Sequence, residues 1–108
     1  MEVCPVEVAV SVLGGTWKLT LVKHLMEGTR RFGELSRLVP SANRKTLTRQ
    51  LRELEEDGIV SREIYAEVPP RVEYSLTELG QSLAPLIDQA NRWGTSYSQH
   101  VHTEAASS

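Results

Sequence analysis

The sequence predicts a mainly α-helical domain carrying a small β-hairpin, an α+β chain of helix-rich type. Three observations lead there. Apolar residues recur at helical spacing in four blocks before Gly58, punctuated by Gly14-Gly15, Gly28 and Pro40. The period then changes to two, over Val60 to Tyr65 and again over Val72 to Leu76. A last stretch, opened by Thr77, returns to the helical period. With 108 residues the chain holds one domain and one core, expected over 1–102, with a small polar tail at 103–108 that frays.

Each element has a local cause. Pro5 suits the first turn of a helix, where its missing N–H costs nothing, and Val6, Ala9, Val10 and Leu13 form a stripe that ends at Gly14-Gly15. Trp17 to Met26 is the second helix, with Trp17, Leu21, Val22 and Leu25 on one side and Gly28 as its stop. Thr29 to Arg31 is a short extended piece. Phe32 to Val39 is a third helix, packed through Phe32, Leu35 and Leu38 or Val39 and closed by Pro40. Asn43 then caps a helix that runs to Asp57, with Gly58 beyond it. Two strands follow, and Glu67-Val68-Pro69-Pro70-Arg71 is the hairpin tip because proline is excluded from strand centres. Thr77 caps the final helix, which passes through Leu79, Leu83, Leu86, Ile87 and Ala90 to Trp93. Pro85 is expected to kink it and Gly94 to interrupt it. Two helices joined by a tight loop and followed by a hairpin make a winged helix-turn-helix, here with an extra helix at each end.

Net charge is −2, but its distribution is uneven. Between Thr29 and Arg52 stand Arg30, Arg31, Arg37, Arg44, Lys45, Arg49 and Arg52 against the single acid Glu34, so that window carries +6 and the rest of the chain −8. This is the electrostatic footprint of a nucleic-acid-binding domain; a solvated basic face is the plain alternative. The Asn43–Asp57 helix favours the former. At 100° per residue, and with Leu47 at zero, Leu51 and Leu54 fall at about 40° and −20°, a core-facing stripe. Lys45, Thr48, Arg49 and Arg52 fall on the opposite side at about 160°, 100°, 200° and 140°. Bases crowd the N-terminal half and the acids Glu53, Glu55, Glu56 and Asp57 the C-terminal half, the reverse of what the helix dipole favours. An anionic partner at the N-terminal end accounts for the reversal, and in helix-turn-helix proteins those residues reach base edges.

Base reading is therefore assigned to Lys45, Thr48, Arg49 and Arg52. Arg49 leads as a bidentate reader of guanine, and Thr48 suits a thymine methyl. Phosphate contact is assigned to Arg30, Arg31, Arg37 and Arg44. Arg71 at the wing tip is assigned to the adjacent minor groove. The acidic second half of the helix is expected to point away from phosphate.

These stretches carry a resemblance. Cys4-Pro5-Val6, Gly14-Gly15-Thr16-Trp17-Lys18, Arg31-Phe32-Gly33-Glu34-Leu35, Leu47-Thr48, Gln50-Leu51-Arg52-Glu53-Leu54-Glu55, Asp57-Gly58-Ile59-Val60 and Val68-Pro69-Pro70-Arg71-Val72-Glu73-Tyr74-Ser75-Leu76-Thr77 resemble the HxlR-type winged-helix transcriptional regulators, which are related to MarR repressors. The chain departs from the pattern at Thr16, where lysine is usual, and at Asn43, where serine is usual. The resemblance implies a homodimer built on the terminal helices, a palindromic operator in double-stranded DNA, and repression as the commoner outcome. The residues independently suggest a dimer interface of Val6, Val10, Leu83, Leu86, Ile87, Ala90 and Trp93, more apolar surface than one chain needs. Cys4 borders the positive end of the first helix, a setting of reactive thiols, and the resemblance implies redox or electrophile sensing there.

Other classes find less support. The chain has no phosphate-binding glycine loop, nucleophile elbow or metal-binding helix, so no enzyme and no cofactor are expected. His24 reads as structural, and His100-x-His102 is too loose to argue a metal. The single cysteine excludes an intrachain disulfide. A winged helix that binds protein would lack the basic face present here. No apolar run spans a bilayer and no signal peptide stands at the N-terminus, so a cytoplasmic protein without membrane contact is expected. No polar constellation announces a small-molecule effector, and an apolar cleft between the wing core and the dimer helices leaves one open.

Overall fold

The computed structural model describes residues 3–107, with side chains as far as residue 104. Pro5 opens α1 (Pro5–Leu13), with Cys4 in the extended conformation at its N-cap. The chain turns at Gly14-Gly15 into α2 (Lys18–Met26). β1 (Arg30–Arg31), α3 (Phe32–Leu38) and α4 (Arg44–Glu56) follow. β2 (Val60–Tyr65) and β3 (Arg71–Leu76) form the hairpin, and α5 (Glu78–Gln81) and α6 (Ala84–Ser107) close the chain. The sheet is antiparallel in the order β1-β3-β2, with Val60 opposite Leu76, Tyr65 opposite Arg71, and Arg30 opposite Tyr74. This is the winged helix-turn-helix that the sequence predicts, with its added terminal helices.

Both ends of α4 are fixed by local chemistry. The Asn43 side chain accepts a hydrogen bond from the Thr46 N–H at 2.8 Å, which satisfies one donor of the open first turn. At the other end Gly58 takes φ +76°. Its N–H donates to the Glu55 carbonyl and that of Ile59 to the Leu54 carbonyl, the paired bonds of a Schellman stop. Leu47, Leu51 and Leu54 are buried on one face against Leu21, Val22 and Leu25 of α2 and Leu35 of α3. Ile59 and Val60 carry the same core into the root of the wing.

Thr77 joins that stop to the end of the wing. Its hydroxyl donates to the Gly58 carbonyl at 2.6 Å and accepts from the Gly80 N–H at 3.0 Å, while its own N–H donates to the Ile59 carbonyl. Gly80 is buried against that same carbonyl, which a Cβ would strike.

The last helix differs from expectation. It is two helices: α5 ends at Gln81, Ser82-Leu83 turn, and Pro85 lies in the first turn of α6. Pro85 therefore starts a helix where it was expected to kink one, since first-turn N–H groups need no partner. Gly94 does not interrupt α6. An Asp88–Arg92 ion pair, a His100–Glu104 contact at 3.4 Å and a Thr95 hydroxyl bond to the Asn91 carbonyl lie along it. The segment from Thr103, expected to fray, is helical to Ser107; Ser108 lies outside the described residues.

The Cα radius of gyration is 16.2 Å, against about 13 Å for a rounded chain of this length. α1 and the far part of α6 carry exposed apolar side chains, Val6, Val8 and Val10 on the first and Trp93, Tyr97 and Val101 on the second.

Two substitutions test this account by thermal or urea unfolding. Leu51→Ala removes a wholly buried side chain and is expected to cost about 2–5 kcal/mol. Asn43→Ala removes only the cap and is expected to cost about 1 kcal/mol, with Asn43→Ser restoring it.

Candidate nucleic-acid interface

The leucine stripe decides what the other side of α4 presents. Arg44, Lys45, Thr48, Arg49, Arg52, Glu53 and Glu56 line one open groove along its outer face. Lys45, Thr48, Arg49 and Arg52, the four residues assigned to base reading, are thus on one surface. Arg49 is well exposed, its side chain at 63%. Arg44 lies at the helix start with its guanidinium 4.8 Å from the centre of the Phe32 ring, a cation–π contact that fixes it at the edge of the face. Arg31 and Arg37 are exposed. The Arg31 N–H donates to the Glu34 carboxylate at 3.0 Å, capping α3, and leaves the guanidinium outside.

Two other arginines are engaged within the chain. Arg30 donates through Nε to the His24 carbonyl at 3.4 Å and meets Glu27 at 3.6 Å, so it ties β1 to the end of α2. Arg71 is not at the wing tip but begins β3, half-buried. Its guanidinium lies 4.2 Å from the Tyr65 ring centre and 3.5 Å from both Glu67 and Glu73. It offsets the charge of Glu73, which the register sets directly opposite Glu63, an arrangement of like charges that is otherwise unfavourable. The Glu73 carboxylate, with loss of solvent and Glu63 adding, raises the Tyr65 phenol above its ordinary pKa, and Arg71 opposes them. Burial raises that of Tyr74. Both are neutral phenols at physiological pH. The tip itself is Val68-Pro69-Pro70, exposed and uncharged, with a cis Val68-Pro69 bond.

The acids also depart from expectation. Glu55 turns to the wing and meets Arg62 of β2 at 3.5 Å. Glu53 and Glu56, however, share the outer groove with the bases. Glu53 stands four residues after Arg49, a helical neighbour, and its Oε1 lies 3.9 Å from the Arg49 Nε. The same oxygen lies 3.6 Å from the Lys18 Nζ. Next to it the buried Gln50 accepts the Trp17 N–H at 2.8 Å. Sequence reasoning did not single out Lys18, Gln50 or Glu53 for the site. The i,i+4 spacing carried the signal for Glu53; the α2 partners needed the tertiary structure.

At the terminal helices, Val6, Val10, Leu86 and Trp93 are exposed, at 69%, 60%, 43% and 68%, and Ala90 is exposed too. Ile87 is buried and Leu83 packs on the core, so these two of the expected interface residues anchor α6 to its own chain. Val6, Ala9, Val10, Leu13, Leu19 and Leu86 line an apolar groove between α1 and α6. The Trp93 and Tyr97 rings stack at 5.2 Å further along α6. Cys4 is exposed. Among the described residues no cluster of His, Cys, Asp and Glu could hold a metal ion, and no helix is long and apolar enough to cross a membrane.

A helix capped at both ends, a basic outer face and a hairpin wing define a DNA-binding winged-helix regulator. The HxlR-like helix-turn-helix family matches residues 12–102, and the chain belongs to that family. It is 54% identical over 95 residues to the HTH-type transcriptional regulator YybR of Bacillus subtilis, covering 88% of this chain and 76% of that one. A regulator of Methanothermobacter thermautotrophicus is 50% identical over 97 residues, 90% of this chain and 74% of its own. Among solved structures, the redox regulator HypR in its reduced form superposes with a TM-score of 0.87 at 49% identity, covering 93% of this chain and 99% of that one. The reduced form of the regulator YodB from B. subtilis gives 0.74 at 36% identity, covering 85% and 91%.

Arg71→Ala separates the wing's two possible uses. Its ion pairs are part-exposed, so the expected loss is about 0.2–1 kcal/mol of stability in a urea melt. DNA affinity by fluorescence anisotropy is expected to stay within about twofold. Removal of a side chain that neutralises a phosphate would instead reduce the log–log salt slope by about 0.9.

Proposed function

We propose that the protein is a homodimeric, sequence-specific repressor, with the first half of α4 reading the major groove of a palindromic operator. The observation that carries the reading is the placement of Lys45, Thr48, Arg49 and Arg52 on one open face of a helix whose opposite face is fixed in the core. Arg49 and Thr48 meet base edges, Lys45 and Arg52 the rim, and Arg31, Arg37 and Arg44 the phosphates. Arg30 and Arg71, occupied inside the chain, hold β1 and the wing in position. The exposed Val6, Val10, Leu86, Ala90 and Trp93 are covered by a second copy, which sets two α4 helices about one DNA turn, roughly 34 Å, apart. The protein acts in the cytoplasm.

Cys4 supports a redox-responsive form of the same function. It is exposed at the start of α1, next to the proposed dimer surface, and the similar HypR is a redox regulator. Two Cys4 thiols from two protomers lose two protons and two electrons to an oxidant such as diamide and form one intersubunit disulfide.

Selection from a random duplex pool followed by sequencing tests the reading. A palindromic site is expected, and Arg49→Ala is expected to lose more discrimination at one base step, about 1–3 kcal/mol, than affinity overall. Equal loss on all sequences would make Arg49 a phosphate contact; no retention of duplex at low salt would end the DNA reading. Val10→Asp with Trp93→Asp is expected to sediment as a monomer and bind DNA far more weakly. Cys4→Ser is expected to abolish operator release by diamide; an unchanged response would remove Cys4 as the sensor.

A further inference from the structure

We propose that Lys18 determines DNA specificity without touching DNA: through the Glu53 carboxylate it fixes the guanidinium of Arg49 at the reading face. The inference rests on the base-reading role proposed for Arg49.

Lys18 is in an unusual place. It is only 5% exposed, and it is the first residue of α2, where the helix dipole disfavours a cation. An ammonium removed from water requires a counter-charge. Glu53 supplies it, Nζ to Oε1 at 3.6 Å. That same oxygen lies 3.9 Å from the Arg49 Nε. An exposed Arg49–Glu53 pair alone would be weak and mobile. A carboxylate held from behind by a buried cation has far less freedom, so the arginine that leans on it is pre-positioned before DNA arrives.

The backbone around Lys18 is fixed to match. One turn before Glu53, the buried Gln50 accepts the Trp17 N–H at 2.8 Å. The start of α2 is thus joined to α4 at two successive positions on one flank. Gly15 keeps that corner tight: a Cβ there would stand 3.0 Å from the Lys18 side chain and 3.1 Å from Gln50 Cδ. The charge arrangement points the same way. Glu53 is an acid on the groove face, where it would repel phosphate; Lys18 cancels that charge without offering itself to the DNA.

The test uses the full chain and a random duplex pool, read as preference at the base step that Arg49→Ala erases and as affinity for the unselected pool. Lys18→Met keeps the length and removes the charge. It is expected to flatten that preference by about three- to tenfold, a part of what a bidentate contact supplies, and to weaken pool affinity because Glu53 is uncompensated. Glu53→Gln, a surface change, is expected to flatten the same step while pool affinity holds or rises. The double variant is expected to be no flatter than Glu53→Gln alone. Thermal melts of each variant run alongside. Full preference in Lys18→Met, flattening in the double equal to the product of the singles, or loss spread equally over all sequences would overturn the proposal. A wild-type protein with no base preference would refute the reading role of Arg49 itself, a separate failure.

Discussion

The burial of Leu47, Leu51 and Leu54 against α2 and α3 sets the rotation of α4, and most of what the molecule presents to its surroundings follows from that angle. At about 100° per residue, a helix held by three leucines has no freedom in which side chains it turns outward. The caps at Asn43 and Gly58 fix its length. Its flanks are then used as attachment points: Gln50 and Glu53 for the start of α2, Glu55 for Arg62 of the wing. The wing hangs from the same helix stop through Thr77, so reader and wing share one mechanical origin.

The electrostatics are organised on a finer scale than net charge or even the charge of a window suggests. Of the seven bases between Arg30 and Arg52, Arg30 is committed to the end of α2, while Arg44 is fixed on Phe32 and still reaches the surface. On the wing, Arg71 pairs with Glu67 and Glu73, so the hairpin presents no free guanidinium at its apolar tip. Of those seven, the charges that face outward therefore lie on α4 and at the exposed Arg31 and Arg37.

The fold class and the outward placement of Lys45, Thr48, Arg49 and Arg52 were legible because each depends on short-range periodicity. Leu47, Leu51 and Leu54 are spaced for one helix face, and the side chains opposite are then fixed by rotation alone. The Pro85 outcome shows where that reasoning ends. A proline in a helical pattern signals either a kink or a new start, and only the Ser82-Leu83 turn, which the pattern does not mark, decides between them. Arg71 was misplaced by one structural unit for a similar reason. The two prolines locate the tip, but whether the next residue belongs to the tip or to β3 depends on a register set by Val60 opposite Leu76, at the other end of the hairpin. Glu53 was placed with the acids by its position along the helix, although its angle puts it beside Arg49.

The apolar residues of α6 and of the turn before it divide into two sets. Leu83 and Ile87 hold the helix to its own core; Leu86, Ala90 and Trp93 are left outward. A partner copy seated on that outward stripe and on Val6 and Val10 of α1 would load the arms without loosening the anchor. Force on α1 has one covalent route into the domain, the Gly14-Gly15 turn, and that turn leads straight to Trp17 and Lys18, the two residues attached to Gln50 and Glu53. A Cβ at Gly14 would strike the Val10 carbonyl, and one at Gly15 would crowd the side chains of Lys18 and Gln50. Cys4 stands at the opposite end of α1 from that corner, so α1 is the segment that separates it from Trp17 and Lys18.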